Sequence, residues 1–399
     1  MIFALGLLVL LGIILLLEKP VRYHRYTFVL FFLFSLFFYY LNWNTFYKNH
    51  SLYKSNIFVL LIIFSFFVIV YFFFNTSISK VNTVYLKHPK ILYNCTKITV
   101  IINVILLIFS YYILLNDKNL INIITLYTKY PYYLETNLYI NPFIGNFRTL
   151  NFVSFINLIY FKIYNYKFKY LNLYIVTSFI ILIADNRKGG ILLLMMVCFH
   201  MFYERFNKIN YFKTLFVIFL SVILLFVFSY SFYYTAGVEI NIIEKIYLYL
   251  TSSFEGFSYH MSENIINVNN IKESYLLYPF LDFMQISTKE NLKSVRYNFG
   301  DERSSNVGTI FLKPYLDLGY LGVIVFIIFI NLMILITGYY SRINYFMYSL
   351  YLIFLSFIDF SFFGNYFANR MLITSFVGVA FYFIIYTLSI NIRKVKFNE

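Results

Sequence analysis

The sequence predicts an all-α, polytopic integral membrane protein with about eleven transmembrane helices and one large extracytoplasmic loop. Of its 399 residues, 61% are hydrophobic and 12% are charged, and the mean hydropathy is +0.72. A soluble domain carries about 25% charged residues. Apolar runs of roughly 15–25 residues recur between polar clusters, which is the pattern of successive membrane-spanning helices. We expect one membrane domain over 1–399.

Hydropathy gives the order of the predicted spans. They lie at 2–17, 27–41, 57–74, 98–115, 143–161, 171–184, 189–203, 212–232, 308–337, 344–361 and 370–390. The first, Ile2–Leu17, has no basic residues before it and no small-residue cleavage site, so it is expected to be a retained span rather than a signal peptide. The sixth and seventh are short and are expected to form a bent hairpin around Ala184–Gly190.

Basic residues fall in every second loop, which orients the spans because cytoplasmic loops are enriched in Lys and Arg. The basic loops contain Lys19, Arg22, Arg25, Lys80, Lys87, Lys90, Lys97, Lys162, Lys167, Lys169, Arg205, Lys208, Lys213 and Arg342, and the tail contains Arg393, Lys394 and Lys396. The N-terminus is therefore expected outside and the C-terminus in the cytoplasm. The net charge of +15 is explained by this topology, so nucleic acid is not a predicted partner.

Two of the outward loops are long, and loops of that length usually carry function or structure of their own. One covers Asn116–Pro142 and is rich in tyrosine, and the larger covers 233–307 between spans eight and nine. Within it, Ile240–Ile266 has apolar residues at helical spacing, which predicts an amphipathic helix on the outer membrane surface. His260, with Glu255 nearby, is a candidate catalytic group there, although a lone His is more often structural.

The outward turn between the sixth and seventh spans reads Asp185-Asn186-Arg187-Lys188-Gly189-Gly190. The following helix is expected to start at the glycines, where its free amide groups face an anion. The planar guanidinium of Arg187 suits phosphate. The alternative is that these charged residues only keep the tip of the hairpin solvated and bind no ligand.

The stretch Asp301–Gly322 has five formal charges and continues directly into a long apolar run. Arg303 is a second phosphate-binding candidate, and Glu302 lies beside it. Asp317 falls inside the entry to a span, where a carboxylate usually faces a partner or a polar cavity. It could instead form an ion pair with Lys313 one helical turn earlier. Tyr315 is expected on the same face.

Several classes of protein have no sequence support. There is no phosphate-binding P-loop, dinucleotide-binding glycine pattern, nucleophile elbow or His/Cys metal set, and no cofactor is predicted. Cys95 and Cys198 lie in or beside different predicted spans and do not form a disulfide or metal pattern.

Taken together, the chain resembles the Wzy family of O-antigen and capsule repeat-unit polymerases, which are related to the O-antigen ligases and to the GT-C membrane glycosyltransferases. The span number and the late outward loop resemble that family over the whole chain. The turn NRKGGILLLM resembles its Arg-x-Gly hairpin, and SSNVGTIFLKPYLDLGYLG resembles its Tyr-x-Asp-x-Gly-x-x-Gly junction, here Tyr315, Asp317, Gly319 and Gly322. Arg303 with Gly319 also fits an Arg-x15-Gly pattern.

The resemblance implies a GT-C-like enzyme in the bacterial cytoplasmic membrane. Its substrate would be oligosaccharide linked to undecaprenyl diphosphate, and its partners would include membrane lipid, a chain-length regulator and a flippase. Arg187 and Arg303 would bind the diphosphate, Lys313 and Tyr315 would contact the rest of the substrate, and no metal would be needed. The general base would be Asp317, Glu302 or His260.

Three alternatives follow from the same sequence. A repeat-unit flippase would need charged residues along a path through its spans. An O-antigen ligase would carry a His near Ser305-Asn306, where this chain has none. The third is a non-enzymatic membrane partner in a polysaccharide assembly complex, in which loop charges serve complex formation.

Overall fold

The structure is a computed structural model, and it is predominantly helical. It describes residues 27–41, 54–75, 86–117, 142–184, 188–206, 213, 214, 217, 220, 242–262, 274–277, 297–300, 303–305, 309–362, 367 and 370–398. Within these ranges there are ten α-helices and one two-stranded sheet. The prediction of a helical protein is therefore confirmed for the described residues, apart from the two short strands.

The described helices follow the predicted spans closely. They are α1 Thr27–Leu41, α2 Lys54–Asn75, α3 Pro89–Asp117, α4 Pro142–Ile163, α5 Leu171–Ala184, α6 Lys188–Phe206, α7 Ile242–Ser262, α8 Leu312–Tyr340, α9 Tyr345–Asp359 and α10 Arg370–Asn398. All except α7 coincide with a predicted span. The span predicted at 2–17 lies outside the described residues, and so does most of the one at 212–232.

Three of the described helices are long and apolar enough to cross a membrane: Pro89–Phe109 in α3, Leu312–Tyr340 in α8 and Met371–Asn391 in α10. Shorter apolar helices accompany them, among them Leu171–Ile183 and Tyr345–Asp359. A helix needs about 20 apolar residues to span the hydrocarbon core. The protein is thus a membrane protein with several transmembrane candidates.

The chain divides into two compact units. The first combines Met1–Val81, Ile243–Tyr340 and Phe354–Ile373. Its core includes an aromatic cluster between α1 and α2, where Phe32 stacks on Phe64 with ring centroids 3.6 Å apart. Phe28 meets the ring of Tyr71 edge-on at 4.9 Å. Aromatic burial of this kind ties the two helices together.

The second unit combines Asn82–Ile242, Ser341–Ile353 and Thr374–Glu399. Hydrogen bonds between buried side chains cross-link its helices. Tyr345 donates to Asn157 Oδ1 at 2.7 Å, and Asn157 Nδ2 donates to Thr96 Oγ1 at 3.3 Å. The hydroxyls of Ser154 and Tyr382 lie 2.6 Å apart. In a membrane, the hydrophobic effect hardly favours contact between helices over contact with lipid, so hydrogen bonds between polar side chains help to hold apolar helices together.

A small hairpin was not expected from the sequence. Strand β1, Tyr297–Gly300, pairs antiparallel with β2, Arg303–Ser305. The register joins Tyr297 to Ser305 and Gly300 to Arg303. The residues between the two strands are Asp301 and Glu302, and Gly300 at the end of β1 is a residue type that marks turns.

Candidate functional site

The candidate site is built at the start of α8, where the helix is broken. Leu318 and Gly319 have non-helical backbone angles, and Gly319 has φ 60 and ψ −144. Only glycine adopts that combination without strain. A short first segment, Leu312–Leu318, therefore ends at the break, and a long apolar segment, Tyr320–Tyr340, follows it.

Gly322 allows the two segments to approach each other. A Cβ atom at this position would lie 2.3 Å from the carbonyl oxygen of Pro314 and 2.9 Å from Leu318 Cβ. In a straight helix eight residues rise about 12 Å along the axis, so this contact exists only because the chain bends at Gly319. Both glycines of the Tyr-x-Asp-x-Gly-x-x-Gly element are thus explained by backbone geometry.

Asp317 lies at the end of the first segment and is buried, with 6% of its surface exposed. Its Oδ2 accepts hydrogen bonds from Ser274 Oγ at 2.7 Å and from the Leu276 amide at 2.9 Å. Its Oδ1 accepts from the Tyr275 amide at 2.7 Å. Hydrogen bonds to a carboxylate are stronger than those between neutral groups, so Asp317 holds a turn of the large loop against the bend.

The loop turn is itself pre-shaped for this contact. Ser274 Oγ accepts a hydrogen bond from the Leu277 amide at 3.1 Å while it donates to Asp317. Because the Ser274 hydroxyl closes this turn, the amides of Tyr275 and Leu276 remain available to donate to Asp317. Ser274 is not recognisable as a site residue from the sequence, because a contact across 43 residues has no local signal.

Lys313 was expected either to pair with Asp317 or to bind substrate. It is partly buried one turn before Asp317, and the two charges interact electrostatically. The hydrogen bonds of Asp317 go to the 274–277 turn, and its interaction with Lys313 is one of charge. Tyr315 is 3% exposed and packs against the rings of Phe257 at 5.7 Å and Tyr320 at 5.4 Å.

Helix α7 is present as predicted, but its second half does not lie on a surface. Apart from partly exposed Tyr259, residues 251–261 are buried. The sequence TSSFEGFSYH buries six polar side chains: Thr251, Ser252, Ser253, Glu255, Ser258 and His260. Phe254 packs edge-on against Phe32 of α1, which explains why this part of the helix is drawn into the protein. The surface location was wrong for these residues.

Glu255 on α7 is buried, at 4% exposure. Tyr39 of α1 donates a hydrogen bond to its Oε2 at 2.6 Å. His260, 6% exposed, follows one and a half turns later. Burial lowers the pKa of His260 from 6.5 to about 4, because the protein disfavours the charged imidazolium. His260 is therefore neutral at pH 7.

The remaining predicted site residues are only partly located. Arg303 is the first residue of strand β2, and only its backbone is described. Arg187 and Glu302 lie outside the described residues, immediately before α6 and β2 respectively. Helix α6 begins at Lys188, so the residue that follows Arg187 is already helical. Among the described residues, no three His, Cys, Asp or Glu side chains are grouped closely enough to hold a metal ion.

Comparison with protein-family models, with curated proteins and with solved structures gives no match for this chain.

Proposed function

We propose that the chain is a membrane glycosyltransferase that polymerises lipid-linked oligosaccharide repeat units for O-antigen or capsule. It transfers the growing glycan from undecaprenyl diphosphate to the next lipid-linked unit at the outer face of the cytoplasmic membrane. A GT-C-like arrangement of about eleven spans, with the N-terminus outside and the C-terminus inside, belongs to the same proposal. The long apolar helices suit two substrates with lipid tails.

One observation carries the proposal. The stretch that resembles the polymerase junction forms a bent entry to α8, and Asp317 within it anchors a turn of the large loop. A helix that breaks at a polar position beside a long loop is costly in a membrane protein unless it lines a site. Irregular backbone of this kind supports a substrate site at the loop-to-span junction.

In the proposed reaction, the bond between the anomeric carbon of the growing glycan and its diphosphate oxygen breaks. A hydroxyl oxygen of the acceptor sugar forms the new glycosidic bond, and its proton passes to a general base. Undecaprenyl diphosphate leaves with the bonding electron pair. Arg187 and Arg303 bind that diphosphate through bidentate contacts and stabilise the charge that develops on it. Lys313 adds positive charge near the bend.

We assign the general base to Glu302. Asp317 is engaged by three hydrogen-bond donors, so its proposed role is to position the loop. His260 is only 6% exposed in α7, and a general base must come within hydrogen-bond reach of the acceptor hydroxyl. Tyr315 is proposed to support the site by packing against Phe257 of α7.

A second candidate function, a repeat-unit flippase, is favoured by the buried polar side chains of α7, because such residues line substrate paths in transporters.

Deletion of the gene distinguishes a polymerase from a flippase and from a ligase. Loss of a polymerase leaves single lipid-linked units on the outer face, where an impermeant lectin or glycosidase reaches them. Loss of a flippase leaves them inside. Loss of a ligase leaves full-length polymer on its lipid carrier. The proposal fails if either of the last two patterns is found.

A further inference from the structure

The exposed faces of α3 and α5 in the second unit are apolar along their length. On α5 and the residue before it, Tyr170, Leu173, Val176, Ile180 and Ile183 are 60%, 59%, 55%, 55% and 43% exposed. Their spacing of three and four residues places them in one stripe on a helix. On α3, Ile98, Ile101, Ile105, Ile108 and Tyr112 form a similar exposed stripe. In a membrane protein, surfaces of this extent face lipid tails.

Both stripes end at the same loop, Tyr164–Tyr170, which joins α4 to α5. Tyr93, in the first turns of α3, donates a hydrogen bond to the Lys169 carbonyl at 2.5 Å and stacks on Phe168 at 4.3 Å. Asn165 and Tyr170 have positive φ, at 59 and 64. Residues other than glycine rarely have a positive φ, and they keep it only where neighbouring contacts hold the backbone in place. The Tyr164–Tyr170 loop therefore has a defined shape.

The same end of the two helices is strongly basic. Five exposed lysines, which we call the basic rim, lie in the first turn of α3 and the residues before it, and around the Tyr164–Tyr170 loop: Lys87, Lys90, Lys162, Lys167 and Lys169. The sequence has no acidic residue in 86–116 or in 142–184. Lys169 Nζ lies 4.9 Å from the centre of the Tyr170 ring. Paired Tyr and Lys at the end of a lipid-facing stripe mark the level of the lipid headgroups.

We propose that the basic rim is a binding surface for the phosphate headgroups of anionic phospholipids. The segments that carry the lysines contain no acidic residue, and Glu204 of α6, whose charge acts on Tyr164 in the loop, is accompanied by Arg205. The adjoining stripes accept the acyl chains of the same lipids. A juxtamembrane cluster of four to eight basic residues is of the size that recognises anionic lipid. None of the five lysines is among the residues assigned to glycan transfer, so the test of this surface does not depend on that function.

The test uses the full-length protein purified in mixed micelles that contain equal amounts of phosphatidylglycerol and phosphatidylcholine, with bound lipid counted by native mass spectrometry. The wild-type chain is expected to retain phosphatidylglycerol preferentially. The variant with Lys162→Gln, Lys167→Gln and Lys169→Gln should lose that preference by roughly tenfold or more. The matched variant with Arg at the same three positions should keep it, because charge is preserved.

The proposal is overturned if the Gln variant retains phosphatidylglycerol as the wild type does, or if the Arg variant loses it equally. Should the Gln variant not fold, salt titration of the wild-type protein replaces it. The preference for the anionic lipid must fall as ionic strength rises, because salt screens exposed charges. A preference that does not respond to salt contradicts binding by the basic rim.

Discussion

Asp317 and Ser274 are 43 residues apart in sequence, yet the Ser274 hydroxyl donates to the Asp317 carboxylate at 2.7 Å. One residue belongs to the entry of a long apolar helix and the other to the large loop before it. The adjacent amides of Tyr275 and Leu276 donate to the same carboxylate. This contact fixes where the loop leaves the bend of α8.

Removing the carboxylate should release that turn. Asp317→Ala leaves two amides and a hydroxyl without their acceptor, at a cost of about 1–3 kcal/mol. Asp317→Asn should not restore stability, because its amide group would face an N–H donor. Ser274→Ala should cost less, since the two backbone amides keep their acceptor. Limited proteolysis of the loop and thermal unfolding in detergent measure both effects, and equal loop protection in wild type and Asp317→Ala would refute the anchor.

The two glycines at the bend should be intolerant of even the smallest side chain. Gly319→Ala places a Cβ on a backbone with φ 60, which costs about 1–3 kcal/mol. Gly322→Ala sets a Cβ 2.3 Å from the Pro314 carbonyl oxygen and should also destabilise by about 1–3 kcal/mol. Leu321→Ala is the control, because Leu321 is 65% exposed. Unfolding temperatures that are the same for all three variants would show that α8 is not bent here.

The buried pair of Tyr39 and Glu255 should be coupled. Tyr39→Phe removes the donor to Glu255 Oε2 and should destabilise the protein by about 1.5–3 kcal/mol. Glu255→Gln alone should also destabilise, while the double variant should cost less than the sum of the two. A double-mutant cycle on thermal unfolding measures the coupling, and strict additivity would count against the hydrogen bond.

His260 should make the protein sensitive to mild acid. Its pKa is about 4 in the folded protein and about 6.5 when exposed, so between these values the unfolded chain binds more protons. Stability contributed by the neutral imidazole is complete above about pH 6.5 and is lost as pH falls toward 4. His260→Gln should flatten the dependence of unfolding temperature on pH over that window. An unchanged pH profile in this variant would rule out His260 as its source.

The sequence predicted the helices well because apolar length is a local property. The runs at 27–41 and 171–184 coincide with α1 and α5 at both ends. The site was less predictable, because its contacts are made by residues far apart in the chain. Nothing near Asp317 indicates Ser274, and nothing in α7 indicates that Phe254 packs on Phe32. Gly319 and Gly322 stand out in the sequence motif, but the motif alone does not predict the helix break that requires them.

The central claim, that Arg187 and Arg303 bind the diphosphate of the substrate, is tested by glycan length. In a deletion strain complemented with each variant, Arg187→Ala and Arg303→Ala should insert into the membrane at normal levels and yield single repeat units. Lys188→Ala removes the charge next to Arg187 in sequence, and Lys293→Ala removes a charge from the same loop as Arg303. Both variants should leave polymer growth intact. Polymer of normal length from either arginine variant would contradict the account.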